Sequence, residues 1–133
     1  MKNPKLGLSI LPETLAICRL EKHVRIPGWA LGGNFVSITR TSAELSIVCP
    51  QTQVPEGVKQ DTGWRCLKVE GHLDLSSTGI LASLTTPLAR EGISVFVVST
   101  YDTDYLLVKD RQLEKAVRVL KENGKEVHRN SSE

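Results

Sequence analysis

Residues 92–108, GISVFVVSTYDTDYLLV, limit the fold more than any other part of the chain. An apolar run over 93–98 enters the polar stretch Ser99-Thr100-Tyr101-Asp102-Thr103-Asp104, and a second run over 105–108 leaves it. Two β-type runs around a polar turn predict a hairpin. The turn gathers two carboxylates, three aliphatic hydroxyls and an aromatic ring, with no lysine or arginine among them. Such a cluster at a strand end suits a small cationic or zwitterionic ligand, and favours a binding module over an enzyme.

The flanks of this hairpin set the fold class. Residues 80–90 read as a helix, with Ile80, Leu81, Leu84 and Leu88 on one face and Pro87 expected to kink or restart it. After the hairpin, Asp110 is the expected N-cap of a second helix whose face is Leu113, Ala116, Val117 and Leu120, with Gly124 as its C′ residue. Residues 64–71 and 125–129 read as strands. The second half therefore spells strand, helix, strand, strand, helix, strand, the split βαβ or ferredoxin-like order: an antiparallel four-stranded sheet with two helices on one face.

The first half reads differently. Residues 6–11 and 14–20 are expected to pair around Pro12-Glu13, and residues 35–38 and 45–49 to form a hairpin around Thr39-Arg40-Thr41-Ser42-Ala43-Glu44. Residues 26–31 have room for one or two helical turns at most, because Pro27-Gly28 resists more. Residues 51–63, polar with a proline and two glycines, read as a connection. An offset of 60 places Ile38 on Val98, Thr39 on Ser99, Glu44 on Asp104 and Pro27 on Pro87, as expected of a duplication whose first copy has lost a helix. The expected boundaries are 1–62 for a degenerate first repeat, 63–129 for a complete second one, and 130–133 for a disordered tail.

Composition removes several function classes. A net charge of +2, with basic residues scattered, gives neither nucleic acid nor an anionic membrane a footing. No apolar run approaches the ~18 residues of a membrane span. Cys18, Cys49 and Cys66 are odd in number and lack CxxC spacing, so reduced buried thiols and a cytoplasmic location are expected. His23, His72 and His128 lie far apart, with no metal-ligand or nucleophile motif around them. His72 beside Asp74 is read as a turn histidine, and Trp29 and Trp64 as core anchors. No metal, cofactor or catalytic residue is assigned.

A ligand site is expected where two elements of the second half meet at one end of the sheet. One is the entrance to its first helix, Ser76, Ser77, Thr78, Gly79 and Ile80, whose free N–H groups and positive dipole end suit a carboxylate. The other is the hairpin turn, where Asp104 suits an ammonium group and Thr100, Tyr101 and Thr103 line the pocket. Thr39, Arg40, Thr41 and Glu44 of the first-half turn are a further contribution. The bland counterpart is a capped helix and a solvated turn.

Residues 79–108, GILASLTTPLAREGISVFVVSTYDTDYLLV, closely resemble the second repeat of small bacterial tandem ACT-domain proteins, relatives of the aspartate kinase regulatory region and the CASTOR-type arginine sensors. FVSITRTSAELSIVCP and WRCLKVEG resemble the same family. The resemblance implies an α+β protein of two ferredoxin-like ACT repeats, a side-by-side homodimer, and non-catalytic amino-acid binding that regulates an amino-acid metabolic enzyme or another regulator. By position it implies that Gly79 approaches the ligand and that Asp104 pairs with its amino group. Ser77 stands where the arginine sensors carry a glutamate that reads the arginine side chain, which removes that reader here. The rival expectation is a ligand-free interaction module using the sheet edge with Tyr101 and Tyr105.

Overall fold

The structure, a computed structural model, describes residues 6–70 and 78–129. They form two compact units. One is Glu13–Trp64; the other joins the residues up to Pro12 to those from Arg65 onward.

The Glu13–Trp64 unit is built from the later part of β1 (Gly7–Leu20), β2 (Ser37–Arg40), β3 (Leu45–Pro50) and the start of β4 (Lys59–Val69), in the order β2-β3-β1-β4. β3 runs antiparallel to both β1 and β2, with Ile17 opposite Val48 and Ser37 opposite the same Val48. Alternation then sends Ala16 and Cys18 to the same face as Leu45, Ile47 and Cys49, and these residues with Ala30 make the core. Among the described residues this unit has no α-helix, only the 3-10 turns Gly28–Ala30 and Gln51–Gln53. Gly33 holds φ +90°, and a Cβ there would collide with the Pro50 ring.

The second unit adds α1 (Ile80–Arg90), β5 (Phe96–Ser99), β6 (Asp104–Lys109), α2 (Leu113–Glu122) and β7 (Glu126–Arg129). Its strand order is β7-β1-β4-β6-β5. Leu84 and Leu88 of α1 and Ala116, Val117 and Leu120 of α2 pack with Leu8, Ile10, Leu67, Val69, Leu106 and Val108. Since alternate strand residues share a face, both helices lie on one side of the sheet. Each helix stops at a left-handed glycine in a Schellman arrangement. Gly92 N–H donates to Ala89 O and Ile93 N–H to Leu88 O, while Gly124 N–H donates to Lys121 O and Lys125 N–H to Leu120 O.

Several sequence expectations change. The pair around Pro12 is one fourteen-residue strand, β1. It pairs with β7 along residues 7–10 and with β3 along residues 15–20, and Pro12 lies in the gap between these ladders. A residue without an N–H is tolerated where no ladder bond is needed. The sheet is not wholly antiparallel, because β7 runs parallel to β1 and does not lie beside β4. The start of β1 meets the end of β4 instead, with Glu70 N–H donating to Gly7 O at 2.8 Å. The connection over 51–63 is strand from Lys59 on, hidden in sequence because its side chains are largely exposed and polar. Asp110 does not cap α2: it opens a 3-10 turn, and its carboxylate receives Arg65 Nη1 at 3.2 Å. Pro87 leaves α1 a single helix.

All three cysteines are free and buried. Burial pushes the Cys66 thiol up to about 12, and burial together with the neighbouring Cys49 pushes Cys18 up to about 11. The stability gained by keeping these thiols protonated is complete below their unfolded pKa near 9 and is lost as pH rises toward those folded values. Alkylation by iodoacetamide at pH 8 is therefore expected to be at least tenfold slower in the native protein than in urea; equal rates would contradict the burial. Gly33→Ala should cost roughly 2 kcal/mol or more, combining left-handed strain with overpacking. Gly57→Ala, at φ +92° with nothing within 4 Å, should cost only the strain, about 1 kcal/mol. Urea denaturation of the two variants separates the terms.

Candidate functional site

The expected site lies in the second unit, at the end of the sheet where β4 finishes and β6 begins. Ser99 and Asp104 are the last pair of the β5–β6 ladder. Between them Thr100 N–H donates to Thr103 O at 2.8 Å, Thr100 Oγ1 donates to the same oxygen at 3.0 Å, and Thr103 N–H donates back to Thr100 Oγ1 at 3.3 Å. A threonine thus closes the turn on itself, which a four-residue loop of mixed polar residues needs in order to keep one shape.

Thr103 is 4% exposed, and its hydroxyl donates to Val69 O at 2.7 Å. That bond fixes the turn against the end of β4, from which the chain proceeds toward α1. A buried hydroxyl is held firmly when its partner is a carbonyl that water does not reach. Thr103 is accordingly a brace whose proton is committed. Thr100 and Asp102 are exposed, Asp104 is half-buried, and Tyr101 is 79% exposed at the tip.

At the helix entrance, Ser76 and Ser77 lie outside the described residues, as do His72 and Asp74. Thr78 is exposed, and Gly79 is the N-cap of α1 with φ +81° and no side-chain hydrogen bond. A Cβ on Gly79 would meet no described atom within 4 Å. Its carbonyl accepts the first helical bond, from Ser83 N–H at 2.9 Å. Ile80 is half-buried against the core. The hydroxyls of Ser83 and Thr85 turn back onto Ile80 O and Leu81 O, so neither caps the entrance. Among the described residues no hydrogen bond or ion pair links Asp104 with Thr78, Gly79 or Ile80.

The first-half turn has the same internal wiring. Thr41 N–H donates to Glu44 O at 2.9 Å, and Thr41 Oγ1 accepts from the N–H groups of Ala43 and Glu44 at 3.0 and 3.2 Å. The ladders superpose at an offset of 59, with Ser37 opposite Val48 matching Phe96 opposite Leu107. That is one residue less than the sequence offset, so Thr41 matches Thr100 and Glu44 matches Thr103. Arg40 is occupied by backbone: its guanidinium donates to Lys22 O and to Val24 O. Thr39 is exposed. Glu44 lies 4.0 Å from Arg19 Nε and lines a groove that sequence reasoning missed. The signal available was the alternation of Ile17 and Arg19 against Cys18 in β1, which puts them on the face away from the core.

Among the described residues no three His, Cys, Asp or Glu side chains gather as a metal site, and no helix is long and apolar enough to cross a membrane.

Residues 59–122 match the model of the ACT domain, and residues 13–57 match a second model described only as an N-terminal domain. The chain is 44% identical to Protein Atu0741 from Agrobacterium tumefaciens, whose structure superposes with a TM-score of 0.91 over 96% of both chains. It is 28% identical over 101 residues to the human cytosolic arginine sensor for mTORC1 subunit 1, a match of 65% of this chain and 30% of the sensor. It thus spans about a third of that relative's length. The regulatory subunit of aspartate kinase from Thermus thermophilus shares the fold at a TM-score of 0.62 and 11% identity, covering 90% of this chain and 99% of that one.

Thr103→Val should cost about 1–3 kcal/mol by stranding Val69 O, while Thr103→Ser should retain most of the stability. Equal stability of Thr103→Val and the native protein in urea denaturation would remove the brace.

Proposed function

We propose that this chain, whose residues 59–122 match the ACT-domain model, is a non-catalytic regulatory module that binds a small amino acid, a reading supported by its likeness to the cytosolic arginine sensor and by the fold it shares with an aspartate kinase regulatory subunit. The observation that supports this reading is the start of α1 at the left-handed Gly79, within the ACT match, where no described side chain caps the helix. The backbone N–H groups following Thr78 and Gly79 would take the ligand carboxylate, with Ser76 and Ser77 as neighbours in sequence. Asp104 would take the ammonium. Tyr101 and Thr100 would border the pocket, and Thr103 would hold its wall.

The same proposal extends to architecture. The matching hairpins and the shared order of β2-β3-β1-β4 with a ferredoxin-like sheet support two ACT repeats, the first without its helices. A homodimer, an amino-acid metabolic enzyme or regulator as partner, and a cytoplasmic location belong to this reading, the last supported by three free buried thiols.

A thermal-shift screen of the twenty common amino acids tests the binding. One or a few should raise the melting temperature by several degrees when present well above Kd. Asp104→Ala should abolish that rise while leaving far-UV circular dichroism unchanged. Silence across all twenty would leave a ligand-free interaction module, for which the 79% exposure of Tyr101 would then speak.

A further inference from the structure

We infer that the Glu13–Trp64 unit carries a small-zwitterion site of its own, a groove over β1, lined by Arg19, Lys59 and Glu44, that would hold an α-amino acid. The groove measures about 230 Å³ and is formed by β1, β3 with its turn, and β4, all within this unit. It neither contains nor depends on Asp104 or Gly79.

The strand register explains why these groups converge. Arg19 stands opposite Ser46 in the β1–β3 ladder, and Ile17 shares its face two residues earlier. That face is the reverse of the one on which Ala16, Cys18 and Ile47 form the core. Half-buried Ile17 therefore supplies an apolar floor, while Arg19, Glu44 and Lys59 supply charge around it.

The charges are poised rather than spent. Arg19 Nη2 donates to Ala43 O at 3.1 Å, and its Nε is 4.0 Å from Glu44 Oε1, with side chains 52% and 41% exposed. An exposed pair at that distance is worth little, so it can yield to a ligand at small cost. The Lys59 side chain makes no hydrogen bond or ion pair among the described residues. A carboxylate could be forked by Arg19 and reinforced by Lys59, leaving Glu44 for an ammonium group. A second carboxylate or a phosphate tail would meet Glu44, while Asp61, two residues from Lys59 on β4, also lines the groove. The volume lies below the roughly 300–1,000 Å³ of sites for drug-sized ligands, which restricts the occupant to a small metabolite.

The test is a ¹H–¹⁵N NMR titration of the full chain with each of the twenty common amino acids, repeated on Lys59→Met, Arg19→Ala and Asp104→Ala. At least one amino acid should shift the amides of Arg19, Ser46 and Lys59. That response should survive Asp104→Ala and weaken at least tenfold in Lys59→Met, which loses no side-chain hydrogen bond among the described residues. Arg19→Ala should do the same if its spectrum remains folded. Shifts confined to Thr78–Ile80 and Thr100–Asp104, or a groove response indifferent to Lys59→Met, would overturn the groove and leave the helix-entrance site standing. The reverse pattern would overturn the entrance site alone, and silence throughout would overturn both.

Discussion

β1 is the element on which everything else is threaded. Its first residues pair with β7 and its last with β3, so one strand sets register in both units. Leu8 and Ile10 go to one core, and Ala16 and Cys18 to the other. A slip of one residue would turn all four out and send Ser9, Ile17 and Arg19 inward, a change no packed core tolerates. Pro12 is tolerated between these ladders, because it has no N–H to pair.

The two polar turns are held by small side chains rather than by glycine. In each, a threonine at the first loop position satisfies the backbone of the fourth position. Their fourth residues have different fates. In the second unit that residue, Thr103, is buried against Val69 O; in the first, Glu44 faces Arg19 across solvent. The same loop geometry therefore builds a closed wall in one place and an open charged rim in the other. One site would rest on backbone N–H groups and a half-buried Asp104, the other on flexible side chains.

Much of this was legible in sequence where local pattern and burial agree. The period of Ile80, Leu84 and Leu88, the Gly124 stop, and the apolar runs on either side of residues 100–103 correspond to α1, the Schellman end of α2 and the β5–β6 hairpin. The failures share a cause: long-range pairing overrode a local signal. Pro12 read as a turn, but the ladders along residues 7–10 and 15–20 keep it within one strand. Lys59-Gln60-Asp61-Thr62-Gly63 lacks apolar alternation, yet its backbone is claimed by the sheet. Asp110 looked like a cap until Arg65, distant in sequence, took its carboxylate. The groove around Arg19 was invisible for the same reason, since its walls come from three strands. The family resemblance fared well on the second unit, where the ACT match falls, and left the helix entrance at residues 71–77 outside the described structure.

The pairing of Gly7 with Glu126 has a consequence for synthesis. The unit around α1 and α2 takes one interior strand from residues 7–12, ahead of the Glu13–Trp64 segment, while one of its edge strands, β7, emerges from the ribosome only after α2. Its sheet must stay open during translation, with Leu8 and Ile10 unsheltered until the later strands arrive. The Glu13–Trp64 segment has every strand it needs by residue 64 and can collapse first. Such long-range closure is slow, so the nascent chain would pass through a stage with one body formed and the other awaiting its partners.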